Sequence, residues 1–113
     1  MVQVMRNLIG NAISFSPENG VIQLSAIRDG GMVKIMVEDQ GPGIPPGSEE
    51  NIFERFYRER PAAEKFGTHS GLGLSISRQI IDAIGGRIWA ENRISEDGRI
   101  IGARFIVCLA EAG

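Results

Sequence analysis

At 113 residues, 42% of them apolar and 23% charged, the chain is long enough for one globular domain with a buried core. A formal charge of −2 argues against a general nucleic-acid binder, which would carry a basic excess. The single cysteine, Cys108, excludes an intrachain disulfide and reads as a buried strand residue; the longest apolar run, residues 105–110, is too short to span a bilayer, and no secretory signal precedes the first helix.

Residues 2–15 predict a helix, with Val4, Leu8, Ala12 and Phe15 spaced as a core-facing stripe. Asn7, Asn11 and Ser14 form a second stripe beside it. Asparagine is a poor helix former, so two of them one turn apart cost stability unless they have a task. An exposed polar face is the plain alternative. Pro17 biases Ser16 away from helical geometry and ends the element.

Residues 21–29 and 32–38 predict two strands joined at Asp29-Gly30-Gly31, a hairpin signal. In the second strand Val33, Ile35 and Val37 share a face by the period of two, and Asp39 continues that parity. Its carboxylate should therefore point to the covered side of the sheet, where an unpartnered charge is costly. No cation stands near it in sequence, whereas a ligand donor such as the exocyclic amine of adenine would serve. Gly41-Pro42-Gly43-Ile44-Pro45 then forbids regular structure.

Ser48 caps a short predicted helix carrying Ile52, Phe53 and Phe56. Residues 59–70 show no hydrophobic period and read as a lid or binding loop. A helix follows from Gly71 to about Ile84, with Leu72, Ile76, Ile80 and Ile84 repeating every four residues; Gly85-Gly86 stops it. Residues 87–93 and 100–110 pair as a second hairpin, with Ile88, Ala90, Ala103, Phe105, Val107 and Leu109 toward the helices and Trp89 on the other face. The order predicts an α/β two-layer sandwich, helices on one face of a mainly antiparallel sheet. Neither a dinucleotide-binding crossover nor a Gly-Lys-Ser/Thr phosphate loop is present in the sequence.

Four runs stand in a telling order: Asn7-Leu8-Ile9-Gly10-Asn11-Ala12, Asp39-Gln40-Gly41-Pro42-Gly43, Phe53-Glu54-Arg55-Phe56-Tyr57-Arg58 and Gly71-Leu72-Gly73-Leu74. Together they resemble the N, G1, F and G2 boxes of the catalytic ATP-binding domain of sensor histidine kinases. That family sits in the superfamily of gyrase-type, Hsp90-type and MutL-type ATPases. The resemblance covers nearly the whole chain. It implies a Bergerat-type fold over residues 1–113, without the strand that relatives place before the first helix, and it implies ATP and Mg²⁺ as ligands.

The resemblance assigns roles residue by residue. Asp39 would accept from the adenine amine, and Gly41 and Gly43 would let the backbone pass close to the base, with Ile44 beside them. Asn11, with Asn7 one turn before it, would offer amide oxygen to Mg²⁺. Phe15 and Tyr57 would pack by the nucleotide. Ser70, Gly71, Leu72, Gly73 and Leu74 would bring a helix N-terminus to the phosphates. Arg58 would neutralise the terminal phosphate. Ser14 departs from the Lys or Arg common in relatives, and His69, the only histidine, falls in the lid rather than on a dimerising helix.

Gyrase-type hydrolases carry a glutamate where this chain has Asn7, which cannot take a proton, so the resemblance favours a protein-histidine kinase. The expected partners are the histidine-bearing dimerisation domain of the same kinase and a downstream response regulator. Neither nucleic acid nor membrane is an expected partner of this stretch, and an edge bared by truncation would favour self-association. The expected setting is cytoplasmic, as part of an inner-membrane sensor. Two alternatives remain open: an ATP-hydrolysing conformational switch, and a non-catalytic nucleotide-binding or interaction module.

Overall fold

The computed structural model describes residues 2–53 and 73–110. Helix α1 spans Val2–Phe15, and α2 spans Gly73–Ala83. Strands β1 (Gln23–Asp29), β2 (Met32–Glu38), β3 (Arg87–Ile94) and β4 (Ile100–Ala110) form one antiparallel sheet in the order β1-β2-β4-β3. The two helices pack together over one face of this sheet, the two-layer architecture expected from the element order.

The face turned toward the helices follows the period of two. Val37 pairs with Phe105, which pairs with Ala90; Ile35 pairs with Val107, which pairs with Ile88. All are buried except Ile35, which packs partly exposed against the same cluster. Val4, Leu8 and Ala12 close the core from α1, as their helical spacing requires. Phe53 meets Phe105 edge-to-face, ring centroids 6.3 Å apart. The guanidinium of Arg78 lies 4.6 Å over the Phe53 ring while also pairing with Glu50 at 3.1 Å.

Several sequence expectations need correction. The first strand begins at Gln23 rather than Val21, because Val21 N–H is drawn to the side chain of Gln40. Of the short helix expected after Ser48, the described residues hold a 3₁₀ turn at Asn51–Phe53, with Ile52 N–H bonded to the Ser48 carbonyl, and Phe56 lies outside them. In α2 Ser77 and Ile81 are fully buried at 0% exposed and Ile80 of the expected stripe packs partly exposed against the core, while Ile84 falls past the helix end and is 60% exposed. A repeat of four also drifts around a helix of 3.6 residues per turn, and the helix ends at Ala83, so Ile84 stands in the turn that follows. Gly85 then takes φ +78° and Gly86 N–H caps the Ile81 carbonyl at 2.9 Å. Cys108 is half-buried rather than buried, on the face away from the helices. Ile106, on that same face between Met36 and Trp89, is only 2% exposed, a core position the helix-facing parity omits. No described helix is long and apolar enough to cross a membrane.

Candidate nucleotide-binding site

Strand β2 delivers Asp39 to the helix-covered side, where it is 0% exposed. One of its oxygens, Oδ1, accepts from the backbone N–H of Gly41 at 2.9 Å and of Ala103 at 3.0 Å. Asp39 N–H donates in turn to the Ala103 carbonyl at 3.0 Å, so β4 holds this residue by backbone and side chain at once. Neither side-chain bond uses Oδ2, which is buried as well. Gly102 makes this approach possible. A Cβ there would fall inside the van der Waals shell of the Asp39 carbonyl oxygen and 2.9 Å from its carbonyl carbon.

Helix α1 is tied to the same place. Ser16, just past its end, accepts from Gln40 N–H at 3.4 Å, one residue beyond Asp39. Asn11 is 7% exposed, and its Oδ1 is buried with no hydrogen-bond donor among the described residues. Asn7, one turn earlier, donates from Nδ2 to Ser77 Oγ on α2 at 3.2 Å. The asparagine stripe therefore faces the second helix and the interior rather than forming an open polar face.

Beyond Asp39 the loop runs through Gly41 and Gly43 to Ile44, which is 1% exposed. Gly43 has φ +82°, a left-handed conformation that suits glycine, and a Cβ there would meet Asn92 Oδ1 at 2.6 Å. Ile44 is bonded to Asn92 of β3 through both of its backbone groups. Behind the loop, Arg93 donates to the Asp39 carbonyl at 2.6 Å and pairs with Glu38 at 3.2 Å. Arg104 also pairs with Glu38, at 3.1 Å, and with Glu91 at 3.2 Å. Burial alone would lower the Arg104 pKa, but hydrogen bonds and charge from Glu38 and Glu91 outweigh it and raise it above its ordinary value.

Of the residues singled out from sequence, Asp39, Gly41, Gly43 and Ile44 lie in one loop fixed to β3 and β4, while Asn7 and Asn11 lie on α1, which is bonded to α2 through Asn7 and to the loop through Ser16. Gly73 opens α2 and Leu74 packs partly exposed against the core. Phe15 ends α1, with its side chain outside the described set, as is that of Ser14. Tyr57, Arg58, Ser70, Gly71 and Leu72, and the lid with His69, lie outside the described residues. Sequence reasoning missed Asn92, Arg93 and Gly102, and read Ala103 only as a residue facing the helices. Their partners are 48 to 64 residues away, and only the glycine preceding the inward-facing Ala103 and Phe105 hinted at a close approach.

The whole chain, residues 1–113, matches the family described as histidine kinase-, DNA gyrase B-, and HSP90-like ATPase, and it belongs to that family. The relatives it matches are sensor histidine kinases. It is 54% identical to sensor protein ChvG of Rhizobium meliloti over 108 residues, which is 95% of this chain and 19% of that protein. The chain thus spans about a fifth of the length of that relative. Among solved structures it superposes on the mycobacterial sensor histidine kinase MprB with a TM-score of 0.82 at 30% identity, covering 96% of this chain and 68% of that one. Histidine kinase ThkA, solved in complex with response regulator protein TrrA, matches with a TM-score of 0.74 at 38% identity, over 97% of this chain and 28% of that one.

Proposed function

We propose that this chain binds ATP with Mg²⁺ and donates the terminal phosphoryl group to a histidine on a separate dimerisation domain in two-component signalling. The observation that carries the reading is Asp39: a fully buried carboxylate held by two backbone N–H groups at a strand end, in a member of an ATPase family. With Oδ1 so held, Oδ2 is the atom to offer the adenine amine. Guanine has an oxo group at the corresponding position, so the same atom would select against it.

The donor set also fits Mg²⁺. This cation prefers oxygen ligands and keeps several of its waters, and a buried amide oxygen such as Asn11 Oδ1 suits it. Asn7 would complete the protein's share. When bound, the cation offsets charge on the phosphates as the terminal group transfers. Arg58 would add its guanidinium there, and Ser70, Gly71, Leu72 and Gly73 their hydroxyl and backbone N–H groups. Phe15 and Tyr57 would flank the nucleotide.

Asn7 favours transfer to histidine over hydrolysis. Its amide is neutral, donates to Ser77 and cannot take a proton from water. A response regulator downstream accords with the complex solved for ThkA. Asn11→Ala should abolish the Mg²⁺ enhancement of ATP binding, bringing the ratio of affinities with and without the ion to about one. It should leave stability unchanged or slightly higher, because it deletes a buried oxygen that lacks a donor. Titrations with and without Mg²⁺, beside a thermal melt, read both effects. For the transfer itself, ATP labelled in its terminal phosphate is supplied with the dimerisation domain of the same kinase. Label on the histidine domain is the expected result; free phosphate without labelled protein would favour the hydrolytic switch instead.

A further inference from the structure

We infer that Asn92 is a positioning residue for base recognition: its carboxamide pairs with the loop backbone as a neighbouring strand would and locks the far end of the adenine-reading loop. This rests on the adenine reading of Asp39. Asn92 continues the inward parity of Ile88 and Ala90 on β3, so its side chain projects into the helix-covered layer that also holds Asp39. There its Oδ1 accepts from Ile44 N–H at 2.6 Å and its Nδ2 donates to the Ile44 carbonyl at 2.9 Å. One amide thus satisfies both backbone groups of a residue that is 1% exposed.

The next residue on the strand holds the near end. Arg93 donates to the Asp39 carbonyl at 2.6 Å while Glu38 anchors its guanidinium at 3.2 Å. Residues 40–43 therefore form an arch with both feet fixed to consecutive residues of β3. Gly43 fits against Asn92 so closely that a Cβ would meet its oxygen at 2.6 Å. An arch ordered before the ligand arrives spares the ordering entropy that a loose loop would lose on binding. The carboxylate can discriminate bases only if the base is presented at a fixed angle, so selectivity should depend on the clamp as well as affinity.

Two variants separate positioning from packing. Asn92→Ala deletes both bonds. Asn92→Asp keeps the shape and the acceptor but places an oxygen against the Ile44 carbonyl, so a purely steric role would leave it near wild type. ATP and GTP affinities are measured for each well below its melting temperature, together with hydrogen exchange of the Ile44 amide in nucleotide-free protein. In both variants ATP affinity should fall about tenfold, and the ATP-over-GTP ratio should shrink with it. The Ile44 amide should exchange faster in Asn92→Ala. Wild-type affinity and selectivity in Asn92→Ala, or in Asn92→Asp alone, would overturn the clamp. A wild-type chain that binds ATP and GTP alike would overturn the adenine reading itself, and the proposal with it.

Discussion

Replacing Gly102 with alanine should destabilise the domain by about 3–5 kcal/mol, a large share of the roughly 5–15 kcal/mol that holds a small domain together. The added methyl would collide with the Asp39 carbonyl oxygen and press on the backbone of Gln40, 3.2 Å from its Cα. Backbone cannot swing aside as a long side chain can, so β4 and the end of β2 must separate. That breaks the bonds between Asp39 and Ala103 in both directions and strands buried polar groups, each costing about 1–3 kcal/mol. Thermal unfolding should shift down by more than about 10 °C, and any variant that survives should bind nucleotide poorly. A melting temperature within a few degrees of wild type would mean that the close approach of these strands is not structural.

Asp39→Asn should act almost wholly on ligand choice. Gly41 and Ala103 both donate to Oδ1, so the asparagine must keep its carbonyl oxygen there and place its amide nitrogen where Oδ2 stood. The opposite rotamer would set that amide against two N–H donors. The new donor then faces the donor amine of adenine. Loss of a hydrogen bond to a charged group is worth about 1.5–3 kcal/mol, so ATP affinity should fall roughly 10- to 150-fold. Inosine triphosphate carries an oxo acceptor in place of that amine, and should gain relative to ATP. Calorimetry with the two nucleotides reads the inversion. Undiminished ATP binding would remove Asp39 from base recognition.

What could be read before the structure follows from the range of the forces involved. Helix α1 and the sheet strands rest on periodicity within a dozen residues, so Val4, Leu8, Ala12, Phe105 and Val107 were legible as core. The parity of Asp39 was legible for the same reason. Ser77 was not: a serine at 0% exposure reads as polar surface until Asn7 on the other helix is placed beside it and donates to its hydroxyl. Asn92 was hidden likewise, since an asparagine near the end of an amphipathic strand reads as the onset of a turn until Ile44 is placed beside it. The α2 stripe held for Ile80 but misled at Ile84, because the helix stops at Ala83 and leaves that residue in an exposed turn. The nucleotide roles of Tyr57 and Arg58 had only resemblance to speak for them.

The central claim is that a buried carboxylate in this fold reads adenine, and calorimetric titration of the wild-type chain with ATP and then GTP in Mg²⁺ tests it most directly. The predicted result is one ATP bound per chain, with GTP at least about tenfold weaker, the discrimination expected of one well-placed hydrogen bond to a charged group. No heat on adding ATP, or equal affinity for the two nucleotides, would contradict it.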